Sequence, residues 1–117
     1  MATYKNLLVW QKAHELAYQV YLITKGFPKD ETYGLTSQLR RAVLSVPANI
    51  VEGYSRKGDK ELARFLNIAL GSLAETEYLL FFAKELSYLS DKQYQHIEAL
   101  RNEAGKLLYN FYKKVSI

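Results

Sequence analysis

The sequence predicts an all-α protein, an antiparallel up-down-up-down four-helix bundle whose second helix is kinked at a proline. Three observations lead there. Apolar residues recur at steps of three and four along four stretches, which is the period of a helix and not of a strand. Short breaks containing Gly, Pro or clustered charge separate the stretches, and short connections make consecutive helices antiparallel neighbours. No segment alternates apolar and polar residues as a half-buried strand does, and neither an internal repeat nor a low-complexity tract is present. At 117 residues the chain fits one domain, residues 1–117, large enough for one continuous core.

The first helix is expected from about Leu8 to Lys25, with Trp10, Ala13, Leu16, Ala17, Val20 and Ile23 on its core stripe. Gly26, Phe27 and Pro28 end it, because glycine suits a C-terminal cap and proline lacks the N–H to continue. The second spans roughly Glu31 to Ser55, with Leu35, Leu39, Val43, Val46, Ile50 and Gly53 in phase. Pro47 lies inside it, and the missing hydrogen bond predicts a bend near Val43 to Ser45 without loss of phase.

Arg56, Lys57 and Gly58 form the next break, and Asp59 is a reasonable N-cap for a third helix reaching about Leu89. Its expected core is Leu62, Phe65, Leu66, Ala69, Leu73, Thr76, Leu80, Ala83 and Leu86. Ser90 and Gln93 have the spacing of a capping box, so the fourth helix should start near Asp91. It would bury Tyr94, Ile97, Leu100, Ala104, Leu107, Leu108 and Phe111.

Composition narrows the function classes. Hydrophobic residues are 49% and charged residues 24% of the chain, as in ordinary globular proteins. Cysteine is absent, which excludes disulfides, thiolate metal sites and cysteine nucleophiles together. No uninterrupted apolar run approaches the roughly 18 residues of a membrane span, and Met1 to Asn6 lacks the basic-then-apolar order of a signal peptide, so a cytoplasmic location with no membrane partner is expected. The net charge of +4 makes a polyanionic partner plausible without amounting to a dedicated basic tail.

A search for reactive constellations finds none, so neither catalysis nor a cofactor is expected. Di-iron bundles need a glutamate three residues before each ligating histidine, but Gln11 precedes His14 and Gln93 precedes His96. The zinc-protease spacing also fails, since Tyr18 stands where the second histidine belongs. Gly53 and Gly58 enclose four residues as in a phosphate loop, yet Asp59 and Lys60 follow where lysine and a hydroxyl are required. Glu75 and Glu77 project about 200° apart on a helix and do not share a substrate.

Arg40 and Arg41, then Arg56, Lys57, Lys60 and Arg64, form the densest basic region, opposed only by Glu52, Asp59 and Glu61. Two readings stand for Arg40 and Arg41: ion pairing with Glu52 or Glu75, or exposure to phosphates. Ala42, Ser45, Asn49 and Gly53 share a small-residue face that matches Gly71, Ser72 and Glu75, and a buried Asn49–Glu75 hydrogen bond would fit there. Ten tyrosines, five phenylalanines and one tryptophan exceed what four helices need internally. Leu7, Leu8, Tyr18, Tyr21 and Leu22, with Leu79 to Phe82, form surplus apolar faces that predict a homo-oligomer.

Taken together, Val9-Trp10-Gln11-Lys12-Ala13, Leu35 to Ala42, Ser45 to Gly53 around Pro47, and Ala69 to Glu75 resemble the bacterial four-helix-bundle family named after proteins encoded in 23S ribosomal RNA intervening sequences. The resemblance covers nearly the whole chain, and the motif around Pro47 is its most specific part. It implies an antiparallel bundle assembling into a ring-like homopentamer. It also implies likeness to the accessory variability protein of diversity-generating retroelements, a basic pentamer that binds nucleic acid and a reverse transcriptase. The family lends no catalytic residues, so Pro47, Asn49, Glu52, Gly53, Gly71 and Glu75 are motif positions with a structural role. The expected function is non-enzymatic binding of RNA or DNA through the basic surface, or alternatively a scaffold for a protein partner such as a reverse transcriptase.

Overall fold

A computed structural model describes residues 3–117. Met1 and Ala2, the start of the Met1 to Asn6 stretch expected not to be a signal peptide, lie outside the described residues. Four helices make up the structure, α1 (Leu8–Thr24), α2 (Leu35–Ser55), α3 (Asp59–Glu85) and α4 (Asp91–Val115), and the described residues contain no strand. A 3-10 turn at Tyr4–Asn6 leads into α1. Thr24 closes α1 by donating its hydroxyl to the Val20 carbonyl at 2.8 Å, just ahead of Gly26 and Pro28.

The start of α2 differs from expectation by one turn. Lys29–Glu31 is a separate 3-10 turn, and Glu31 folds its carboxylate back onto the Leu35 N–H at 3.1 Å. The acid counted as helical therefore lies one turn ahead of the helix, whose N-cap is Gly34, and accepts its first N–H. Its other oxygen accepts from the Tyr88 hydroxyl at 2.8 Å, and this bond holds the phenol above its ordinary pKa, with desolvation adding to it. From Leu35 onward α2 is one uninterrupted helix through Pro47, which is itself buried. Leu39, Val43, Val46 and Ile50 are all sealed from solvent, so the apolar stripe does keep its phase past the proline.

Asp59 is not the N-cap of α3. Gly58 holds that position with φ of +87°, a conformation that L side chains rarely adopt, so backbone geometry decides the residue there. Asp59 and Glu61 instead sit in the first turn, where their charge suits the positive end of the helix dipole. At its other end α3 stops at Glu85, short of the expected Leu89. Tyr88 N–H bonds the Ala83 carbonyl at 2.9 Å and Ser87 N–H bonds that of Lys84 at 2.9 Å, a Schellman closure that requires a left-handed residue. Ser87 supplies it at φ of +63°. Leu86, expected in the core, is consequently thrown out to solvent. Ser87→Gly removes the Cβ strain and is expected to stabilise the fold by about 1 kcal/mol, read as a raised urea midpoint at unchanged m-value.

The capping box of α4 forms as expected, Gln93 N–H to Ser90 Oγ at 3.1 Å and Ser90 N–H to Gln93 Oε1 at 2.9 Å. Only Ile97, Ala104 and Leu108 of its predicted core are fully buried. Tyr94, Leu100, Leu107 and Phe111 pack half-buried against the same cluster.

Helix packing follows a square. α1 lies beside α2 and α4, and α3 beside α2 and α4, with α1–α3 and α2–α4 across the diagonals of one shared core. Along the α2–α3 seam Gln38 meets Glu75, Ser45 meets Ser72 and Gly53 faces Phe65; one number falls as the other rises, the signature of antiparallel neighbours. The α3–α4 seam runs the same way, with Lys84 beside Asp91 and Glu77 beside Arg101. The particle measures 43 × 25 × 25 Å.

α3 carries the longest apolar stretch, although Glu75 and Glu77 interrupt it. Over an 18-residue window its mean hydropathy is 1.2, enough to pass as a membrane span by length and composition alone. The cause is apolarity on two faces. Leu66, Ala69, Leu73 and Leu80 build the core, while Ile68, Phe81 and Phe82 remain at the surface.

Candidate nucleic-acid interface

The six basic residues singled out in the sequence do not form one surface. Arg40 lies near the start of α2 and Arg56 just past its end, about 24 Å apart at 1.5 Å per residue. They belong to opposite ends of the bundle.

At the α2–α3 turn, Arg56 Nη2 approaches Glu52 Oε1 at 3.6 Å and Arg64 Nε meets Glu61 Oε2 at 3.1 Å. Both guanidinium groups also lie over the Phe65 ring, 5.3 and 4.4 Å from its centre. The hydrogen bond from Arg64 holds the Glu61 carboxyl below its usual range. These pairs were legible in the sequence, because residues four and three apart are neighbours on a helix. Lys57 and Lys60 are exposed and have no carboxylate within ion-pair distance among the described residues. They are the cations of this end most available to a phosphate, with both arginines half-neutralised beside them.

At the other end Arg40 is pinned, but not by an acid. Its Nε donates to Thr24 Oγ1 at 2.8 Å, its Nη2 to the Tyr21 carbonyl at 3.2 Å, and its guanidinium sits 4.8 Å from the Tyr21 ring centre. The pairing of Arg40 or Arg41 with Glu52 or Glu75 is therefore not found. Glu52 belongs to Arg56, and Glu75, although it lines one cleft with Arg41, receives Gln38 Nε2 at 3.4 Å instead. Arg41 is exposed. Lys25 and Lys29, which sequence reasoning did not connect to them, share a cleft with Arg40 and Arg41. A signal existed, since antiparallel packing of the first two helices brings residues 25 and 40 to the same level.

The small-residue face is real and its hydrogen bonds are different from those expected. Asn49 Nδ2 donates to the Ser45 carbonyl and to Ser45 Oγ, both at 2.8 Å, and Ser45 Oγ lies 2.8 Å from Ser72 Oγ. No Asn49–Glu75 bond forms, because Gln38 is level with Glu75 and Asn49 sits about three turns further along α2. Gly53 is a contact position: a Cβ there would come within 2.8 Å of Phe65 Cβ. Gly71 is not, since a Cβ there meets nothing within 4 Å, so its place on a packed face is corrected.

Apolar surplus exists on two sides. On the α1–α2 side Tyr18 is 59% and Leu44 50% exposed, with Leu22 beside them. On α3, Tyr78 is 60% and Phe81 49% exposed, with Phe82 adjoining. Leu79 and Leu80 of that segment are core residues instead. Because α1 and α3 are diagonal, the two patches face opposite directions. Among the described residues no three His, Cys, Asp or Glu side chains converge, and His14 stacks on Trp10 with ring centres 4.8 Å apart.

Residues 5–110 match the family model described as 23S rRNA-intervening sequence protein. No curated protein matches the chain. Among solved structures it is similar to a protein of unknown function from the S23 ribosomal protein family of Bacteroides thetaiotaomicron, with a TM-score of 0.82 and 29% identity over 91% of this chain and 96% of that one.

Proposed function

The chain belongs to the 23S rRNA-intervening sequence protein family, and from that premise we propose that it is a non-enzymatic, oligomeric protein that binds the backbone of nucleic acid, RNA before DNA. The observation that carries this reading is the exposed lysine pair at the α2–α3 turn: Lys57 and Lys60 meet no carboxylate among the described residues. Exposed cations without local acids attract phosphates through counterion release, which is independent of sequence and steep in salt. A ring of subunits multiplies such a surface.

The oligomer itself is part of the proposal. Two unlike apolar patches on opposite sides favour a contact in which the α1–α2 patch of one copy covers the α3 patch of the next. A contact of that kind is head-to-tail and gives a ring when the rotation between subunits closes, and a closed ring is what the homopentamer implied by the family resemblance requires.

Binding of labelled RNA and of DNA of the same sequence, measured against salt, tests the reading. Affinity is expected to fall linearly on logarithmic axes, and Lys57→Glu with Lys60→Glu should reduce the slope by about two, roughly one per lost phosphate contact. Absence of salt-dependent binding at low ionic strength, or an unchanged slope in the double variant, refutes it. The same exposed aromatics also favour a second reading, a scaffold that docks a protein such as a reverse transcriptase. A protein partner retained after nuclease treatment supports that reading instead.

A further inference from the structure

The end of the bundle remote from the α2–α3 turn holds an open cleft of about 490 Å³ between the α1–α2 connection and the first turns of α2. Four cations line it, Lys25, Lys29, Arg40 and Arg41, and no carboxylate does. The acids of the same connection are otherwise placed. Glu31 is committed to the Leu35 N–H and the Tyr88 hydroxyl, and Asp30 lies off the lining. Four like charges without an acid raise the local positive potential and call for an anion.

Arg40 is preorganised to receive one. Thr24, which holds its Nε, is 2% exposed and is itself fixed by donating to the Val20 carbonyl. With Nε and Nη2 anchored on the α1 side, Nη1 has no partner among the described residues. A guanidinium fixed in this way loses little rotamer freedom on binding a phosphate.

A second, independent feature points to the same ligand. Thr36 is 8% exposed, lines the cleft, and its hydroxyl has no hydrogen-bond partner, alone among buried side-chain polar atoms of the described residues. Buried polar groups are almost always paired; this hydroxyl is closed to solvent as placed and meets a ligand in the cleft only by turning about its Cα–Cβ bond. Thr36 and Ser37 also occupy the first turn of α2, where their backbone N–H groups find no acceptor in the chain. Unpaired N–H groups at a helix start suit phosphate oxygens. Tyr33, 96% exposed on the rim, adds a bare aromatic face, and aromatic faces stack on bases of any identity.

We propose that this cleft binds a phosphate monoester of a nucleotide, with the phosphate between Arg40, the two lysines and the Thr36–Ser37 amides, and the base against Tyr33. The site is at the opposite end from Lys57 and Lys60 and does not depend on backbone binding there. Free mononucleotides and the 5′-phosphorylated end of a strand present the same chemistry.

Calorimetric titration of the full chain with AMP, adenosine and inorganic phosphate, alongside amide NMR, is the test. AMP should bind with a Kd below about 1 mM, adenosine at least tenfold more weakly, and the Thr36 and Ser37 amides should move on AMP addition. Lys29→Glu, in the exposed turn, should weaken AMP at least tenfold, while the Lys57→Glu, Lys60→Glu pair leaves it unchanged. Because Arg40→Gln also cuts the link to α1, Lys29→Glu and Tyr33→Ala carry the test without loss of fold. A 5′-phosphorylated oligonucleotide that binds more tightly than both AMP and its 5′-hydroxyl twin identifies a strand end, and AMP binding at least as tightly identifies a free nucleotide. If neither AMP nor phosphate binds, or if Lys29→Glu leaves AMP binding intact, the proposal fails.

Discussion

Gly53→Leu is expected to unfold the bundle or to leave it with a small fraction of its stability. Residue 53 sits where α2 and α3 converge on their short turn, and a single Cβ already meets Phe65 Cβ at 2.8 Å and Leu62 Cδ1 at 3.1 Å. Phe65 Cβ is fixed to the backbone and cannot swing away, so the helices themselves must part. Overpacking of this kind costs roughly 1–3 kcal/mol even for small insertions, and four added heavy atoms exceed that against a total of about 5–15 kcal/mol. Gly53→Ala should be milder, because alanine recovers up to about 1 kcal/mol of helix propensity. Gly71→Ala makes the control, since the site is open and the same propensity gain should raise stability by about 0.5–1 kcal/mol. Urea unfolding followed by circular dichroism separates the three, and a stable Gly53→Leu protein would contradict the close approach.

The second large effect concerns assembly. In solution the chain is expected to have several times the 13.5 kDa mass of one subunit, and Leu44→Asp or Phe81→Asp should each reduce it to a monomer. Both side chains are half exposed in the single chain, so charge there leaves the fold intact but must be desolvated in a contact, at several kcal/mol if unpaired. A head-to-tail contact makes a sharper demand. Since each variant spoils only one of two unlike patches, mixing the two should restore at most a dimer joined through the intact pair. Light scattering reads all of these masses. A monodisperse monomer for the unaltered chain removes the interface argument entirely.

What the sequence disclosed depended on whether the determining contact was local. Ser90 and Gln93 revealed a helix start because a capping box is written within four residues, and Leu39, Val43, Val46 and Ile50 revealed a core because burial follows phase. Boundaries set by tertiary or backbone geometry were missed. Glu31 reads as the first turn of a helix until the Tyr88 hydroxyl and the Leu35 N–H are seen to claim it, and Gly58 outranks Asp59 as a cap only because the chain must reverse with a positive φ. The basic cluster failed for a related reason: nearness in sequence along one long helix is distance in space. Arg40 and Arg56 are far apart, whereas Arg40 and Lys25, the C-cap residue of α1, are neighbours around one cleft. Gly53 and Gly71 look equivalent in sequence, and only the seam between α2 and α3 distinguishes the one pressed against Phe65 from the one facing open space.

The double-faced apolarity of α3 bears on how the protein is made. This helix shows apolar side chains on two faces, although Glu75 and Glu77 within its apolar window would be costly in a bilayer. Protection must come from timing. α2 precedes α3, and with a three-residue turn the two helices can close on each other at almost no loop entropy, covering the face of α3 that meets α2 without waiting for α1 to dock. The tight hairpin thus shortens the time for which the most apolar stretch of the chain stands bare.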